Sequence, residues 1–300
     1  MREGAKIKVV LDTDIGGDID DTWALAFLLK CPELDLKLVS TATQDTVYRA
    51  KVAAKLLEIA GRTDVPIAVG EVEKGKPHHC PQAPWVEGYE LASYPGKVRM
   101  DGAAFLAETI MALRPPVSLV VIGPAPNIKA ALDLEPRIAQ RCRFIGMHGS
   151  IAKHHDGGAG AIEEYNVAQD VPAFKAVLAA PWKEMVLTPL DTCGQVRLKG
   201  AKYEAVKRAG EPLTRAVIEN YRIWSSANPG EFERRSSILF DTVAVYLAFS
   251  REFLKMEKMK LGVKDSGLMV QDGSGPNADV AMDWRDLGAF EDLLVKRLAG

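Results

Sequence analysis

The sequence predicts an α/β protein: one domain spanning residues 1–300, built on an open, mostly parallel twisted sheet with helices on both faces. Three observations carry that expectation. Short apolar runs alternate with helix-spaced stretches, the pattern of parallel strands joined by right-handed crossovers. The runs are rich in Val, Ile and Leu, as in strands covered on both faces. The chain has 300 residues, 47% of them hydrophobic, and no repeat, low-complexity tract or hinge-like linker. That length can bury about three quarters of its unfolded surface in one body.

The first strand is Val9-Val10-Leu11, and it ends in Asp12-Thr13-Asp14-Ile15-Gly16-Gly17-Asp18-Ile19-Asp20-Asp21. Five carboxylates crowd the turn between this strand and the apolar helix that starts after Asp21. In open α/β sheets ligands bind at the carboxyl ends of strands. Uncompensated carboxylates there are costly, so a cation is expected to join them. Dense oxygen donors suit Ca²⁺ or Mg²⁺ rather than zinc. The spacing is not that of an EF-hand, because the fifth and twelfth positions from Asp12 are Gly16 and Trp23. A strand ending in Asp-x-Asp also opens phosphohydrolases of the haloacid dehalogenase type, where the first Asp is a nucleophile. Those carry Thr or Val where this chain has Gly16, which leaves Asp12 as an alternative nucleophile.

The remaining elements follow in order. Residues 36–43 read as a second strand and 46–60 as a helix closed by Gly61. Asp45 precedes that helix as a candidate N-cap. Residues 65–69 form a short third strand. Residues 71–100 hold His78, His79, Trp85, Tyr89 and Tyr94 in a long irregular segment, the length of a lid or binding loop, with aromatics to stack on a ligand. A helix at 101–113 is stopped by Pro115-Pro116, a strand follows at 117–122, and Asn127 caps the next helix. Residues 143–147 form a strand. The glycine-rich loop 151–161, with His154 and His155, reads as mobile. A helix at 172–180 and a strand at 185–188 precede a mainly helical stretch, 200–250. There Asp241 sits on an apolar helix starting near Ser236, and such an Asp needs a partner, the metal of the first loop. The tail reads as a strand pair and a closing helix.

Net charge is −2 and the isoelectric point about 6.3, so nothing marks a nucleic-acid or anionic-membrane surface. No apolar run has the length of a membrane span. The N-terminal residues lead into the first strand without the apolar core of a signal peptide. Cys31, Cys80, Cys142 and Cys193 are widely spaced, so free thiols and a cytoplasmic location are expected.

The pattern Asp-x-Asp-x-Gly followed by Asp-Asp-x-x-Ala resembles the nucleoside hydrolases of the inosine–uridine-preferring type, with two extra residues that include Asp18. Three later motifs share the resemblance: residues 117–131 with Gly123 and Asn127, Glu163-Glu164-Tyr165-Asn166, and Leu239-Phe240-Asp241-Thr242. Four motifs in one order, spread over most of the chain, are more specific than any one.

The resemblance implies hydrolysis of the N-glycosidic bond of a nucleoside or related N-riboside, in purine or pyrimidine salvage, by a homodimer or homotetramer. It implies Ca²⁺ held by Asp14, Asp21, the Ile122 carbonyl and Asp241, with Asp14 as general base. Asp20, Glu164 and Asn166 would hold the ribose, with Asp45 as a further sugar contact. The family has an Asn upstream of Glu164 whose counterpart here is Gly158. It also places a His before the late Asp to protonate the departing base, and this chain has Phe240 there. The proton would come from His148, His154, His155 or the 71–100 segment, unless Phe240 stacks on a base that leaves readily. Phe240 and Gly158 also motivate a non-catalytic calcium- and ribose-binding relative.

Overall fold

A computed structural model describes residues 5–75 and 77–300; the first four residues, read above as part of the lead into the first strand, lie outside it. Ten strands form one sheet: β1 (Ile7–Thr13), β2 (Leu34–Thr41), β3 (Ile67–Val69), β4 (Val98–Arg99), β5 (Val117–Val121), β6 (Cys142–Met147), β7 (Glu184–Thr188), β8 (Leu254–Val263), β9 (Met269–Gln271) and β10 (Asn277–Trp284). Their spatial order is β4-β3-β2-β1-β5-β6-β7-β10-β8-β9. From β4 to β10 every pairing is parallel; β8 and β9 add an antiparallel edge. The chain builds outward from β1 to β4 on one side, then returns to place β5 on the other. The crevice between the carboxyl ends of β1 and β5 is therefore the topological switch point.

The helices are α1 (Asp20–Lys30), α2 (Thr46–Ile59), α3 (Gly102–Ala112), α4 (Pro126–Leu134), α5 (Tyr165–Ala168), α6 (Val171–Ala179), α7 (Leu190–Cys193), α8 (Gly200–Lys207), α9 (Pro212–Trp224), α10 (Pro229–Arg234), α11 (Thr242–Leu247) and α12 (Leu287–Ala299). Side chains alternate across a strand, so β1 feeds two cores. Val9 and Leu11 pack with Trp23 and Phe27 of α1 and Phe290 and Leu294 of α12. Val10 packs on the opposite face with Phe105 and Ile110 of α3, Ile128 of α4 and Phe174 of α6. All described cysteines are free thiols, and among the described residues no helix is long and apolar enough to cross a membrane.

Three expectations need correction. The 71–100 segment is not structureless: it has two 3₁₀ turns, Ala83–Val86 and Leu91–Ser93, and ends in β4. Trp85 and Tyr94 are buried, with Lys55 Nζ 4.5 Å from the Trp85 ring and the Tyr94 hydroxyl donating to the Val65 carbonyl at 2.6 Å. Burial against the core gives these rings a place inside the fold, so they are not free to stack on a ligand. Residues 236–239 are irregular, and Asp241 is the N-cap of α11 rather than a member of its face. The tail carries three strands, because residues 269–271 pair with β8 before β10 begins.

Candidate active site

The carboxyl ends of β1, β5, β6 and β7 open into a cavity of about 520 Å³ lined by Asp14 and Ile122, each just beyond its strand, by Met147 at the end of β6, and by Leu190, which opens α7 after β7. Asp14 approaches β5 closely. A Cβ at Gly123 would lie 2.8 Å from the Asp14 amide nitrogen and from Oδ1, so only glycine fits that position. Gly16 turns the chain at φ +101°, a conformation glycine adopts without steric cost. The turn is pinned from outside by the Tyr48 hydroxyl to the Gly16 carbonyl at 2.9 Å and Trp224 Nε1 to the Gly17 carbonyl at 3.2 Å.

Asp20 and Asp21 open α1, and Asp241 caps α11 beside it. Each of the three offers an oxygen within 4.8 Å of the others, and all three are buried. Burial drives their pKa values well above the usual carboxylate range, and repulsion from neighbouring carboxylates, Asp14 and Asp18 included, adds to it. Asp14 is also shifted upward by burial, against the pull of Arg49, whose Nη2 stands 3.6 Å from Asp14 Oδ2. Thr13 Oγ1 donates to Asp21 Oδ1. Buried carboxylates gathered this closely need protons or a cation. An all-oxygen set of this density, with Asp14 and Ile122 on the same wall, fits a hard divalent ion. The tightest trio contains Asp20, which the sequence placed on the sugar rather than on the metal.

On the facing wall, Glu164 caps α5. Its carboxylate accepts from Gly149 N at 2.9 Å, Asn166 N at 2.7 Å and Val167 N at 3.2 Å, and burial moves its pKa up to about 7. Asn166 Nδ2 donates to the carbonyls of Ile122 at 3.2 Å and Met147 at 3.0 Å. Both side chains line the cavity, held rigid by bonds that sequence reasoning did not foresee.

The remaining expected residues divide. Phe240 and His155 line the cavity. His148 does not: it is fully buried, stacked on Phe174 at 4.5 Å, and its Nε2 meets the Gly123 carbonyl at 3.2 Å. Burial lowers its pKa to about 3, so it is a neutral packing residue rather than a proton donor. His154 lies off the cavity, 5.6 Å from the His155 ring and close under Gly158, where a Cβ would fall 2.2 Å from the imidazole. A side chain at Gly158 would require the His154 ring to move. Asp45 caps α2 through Tyr48 N at 2.9 Å and does not reach the cavity. Asp12 lies beneath the floor, its Oδ1 receiving Asn127 Nδ2 at 3.0 Å and its pKa raised by burial to about 7. It faces no open space, which removes the geometry a nucleophile requires. Asn127 itself sits inside the first turn of α4 rather than at its cap.

Sequence reasoning missed Arg49, Gln44 and Trp224 as cavity residues, while His79 lines the cavity from the 71–100 segment that was expected to serve as a binding loop. Arg49 is 1% exposed and donates to Thr43 O at 3.0 Å and Ile15 O at 3.1 Å. It holds Thr43 and Gln44 at φ 64° and 51°, left-handed conformations that cost energy without glycine. Gln44 spans the mouth: its Oε1 accepts from His79 N at 2.8 Å and its Nε2 donates to the Tyr165 hydroxyl at 3.4 Å. A cation among the apolar residues of helix 46–60 was the one available signal.

An open parallel sheet with a carboxylate-floored cavity at its switch point defines an α/β enzyme that handles a small polar ligand through a metal-competent site. The chain belongs to the inosine-uridine preferring nucleoside hydrolase family, whose model matches residues 9–292. It is similar to the pyrimidine-specific ribonucleoside hydrolase RihA of Citrobacter koseri, 24% identical with 98% of each chain covered. The inosine-uridine preferring nucleoside hydrolase of Crithidia fasciculata is 25% identical over 87% of this chain and 84% of its own. Among solved structures, the plant nucleoside hydrolase PpNRh1 superposes with a TM-score of 0.82 at 20% identity, covering 99% of this chain and 100% of that one.

Proposed function

We propose that the chain hydrolyses the N-glycosidic bond of a ribonucleoside or related N-riboside, releasing ribose and the free base. The observation that carries this reading is the buried Asp20–Asp21–Asp241 floor, with Asp14 beside it and Glu164 and Asn166 opposite. Asp14, Asp21, the Ile122 carbonyl and Asp241 would hold Ca²⁺, with Asp20 in reach; when bound, the ion supplies Lewis-acid activation of water and neutralises the floor.

In hydrolysis the C1′–N bond breaks, its electron pair leaves with the base, and a water oxygen bonds to C1′. Asp14 takes the proton from that water, a role that depends on hydrogen-bond reach. Asp20, Glu164 and Asn166 grip the ribose hydroxyls. A grip that tightens as the sugar becomes cationic raises the rate. Phe240, Trp224 and Tyr165 give the base an aromatic surround. His155, with His79 as second donor, delivers a proton to the departing nitrogen, since Phe240 has none to give.

The reading predicts that Asp14→Asn lowers kcat on a ribonucleoside by roughly 10²–10⁴-fold, the usual contribution of a general base, while the protein melts as a folded species. Unchanged turnover in that variant contradicts the assignment.

A further inference from the structure

The loop that carries His155 is built around a buried carboxylate no part of the site has used. Asp191, in α7, is fully buried. Its Oδ1 accepts from the backbone nitrogens of Ala152 at 2.7 Å and Lys153 at 2.9 Å, and its Oδ2 from Ile151 at 2.8 Å. Three successive amides converging on one carboxylate form an anion nest. Charge-assisted bonds of this kind are about twice as strong as neutral ones.

The rest of the loop closes on that base. Ser150 Oγ donates to Lys153 O at 2.8 Å and accepts from Ile162 N at 3.1 Å. Gly160 N reaches Ala152 O at 2.8 Å, and Asp156 N reaches Gly194 O at 3.3 Å. At Gly194, on the C-terminal end of α7, a Cβ would fall 2.7 Å from the Leu190 carbonyl and 2.9 Å from His155 Cα. A stretch the sequence marks as mobile is thus tied at its foot to Asp191 and pressed at its tip against Gly194. The tip presents His155 to the cavity, and the returning strand of the loop leads directly into Glu163, Glu164 and Tyr165, which also line it.

We propose that Asp191 is a positioning residue: it fixes the His155 wall of the cavity and thereby sets how well the departing base is protonated. This rests on the hydrolase reading above. A nucleoside base needs a proton as it leaves, whereas nitrophenolate departs as a stable anion, so a misplaced His155 harms the first class of substrate and spares the second. Asp191→Asn keeps the volume and loses the charge, and it turns an NH₂ group toward backbone N–H donors.

The experiment compares kcat on inosine, uridine and p-nitrophenyl β-D-riboside. Asp191→Asn is expected to slow both nucleosides about 100-fold, within the range of general acid catalysis, and to leave nitrophenyl riboside nearly unchanged. His155→Ala should show the same split, and the double variant should be no slower than His155→Ala alone. Gly194→Ala keeps the carboxylate but crowds His155 Cα and the Leu190 carbonyl of α7, and it should reproduce the split if Asp191→Asn fails to fold. Equal losses on all three substrates, or none, with active wild-type protein overturn this inference alone. Wild-type protein that releases no ribose from any of the three overturns the hydrolase reading and this inference with it.

Discussion

Single side chains in this protein are governed by the cost of burying charge. Asp12 and Glu164 move from 3.8 and 4.5 up to about 7 because burial disfavours their ionised forms. The folded chain therefore keeps protons that the unfolded chain has already released, and stability falls as pH rises from about 4 to about 7. His148 works the other way. Its pKa drops from 6.5 to about 3, so the unfolded chain binds a proton the folded one does not, and stability rises with pH between those values. The carboxylates outnumber the one imidazole, and the Asp floor shifts in their direction. Chelated protein should therefore melt at lower temperature as pH is raised from about 5 to about 8, and millimolar calcium should cancel the fall by taking the place of the protons. A melting point that is flat or rises in chelator contradicts this. Asp14, Asp20, Asp21 and Asp241 were legible in the sequence because charge beside an apolar run has few innocent explanations. Arg49 was not singled out, because its helix also holds Lys51 and Lys55 and nothing local separates a buried cation from a solvated one.

At the scale of elements, the long segment between β3 and α3 does the most unforeseen work. Gln82, fully buried within it, donates to the Asp18 carbonyl at 3.0 Å and accepts from Thr22 Oγ1 at 3.1 Å and Asn220 Nδ2 at 2.6 Å. It joins the Asp loop, α1 and α9, and its backbone nitrogen also meets the Tyr48 hydroxyl at 3.0 Å. Gln82→Ala strips all three side-chain bonds and leaves buried partners unpaired. It should cost about 3 kcal/mol in urea unfolding, and a loss below about 1 kcal/mol would show that the bridge is dispensable. The strands and main helices could be read from apolar periodicity. This segment could not, since its buried groups, Gln82, Trp85 and Tyr94, follow no period and are placed only by the elements that close over them.

For the molecule as a whole, strand order explains why the site lies where it does. The sheet reverses its direction of growth between β1 and β5, opening the crevice from whose edge Asp14 and Ile122 project, and Asp241 arrives from a distant α11 to complete the floor. The alternation of elements foretold the parallel sheet. The tail's strand pair and closing helix were expected as well, but not β9, whose three residues carry no pattern of their own. The proposal as a whole is that this cavity cleaves ribosides with the help of a cation on its carboxylate floor. Release of reducing sugar from a panel of purine and pyrimidine ribosides, with calcium, after chelation and after calcium is restored, tests it most directly. The expected result is release that chelator abolishes and calcium recovers. No release from any riboside by protein whose melting point rises with calcium, or release indifferent to chelator, would contradict it.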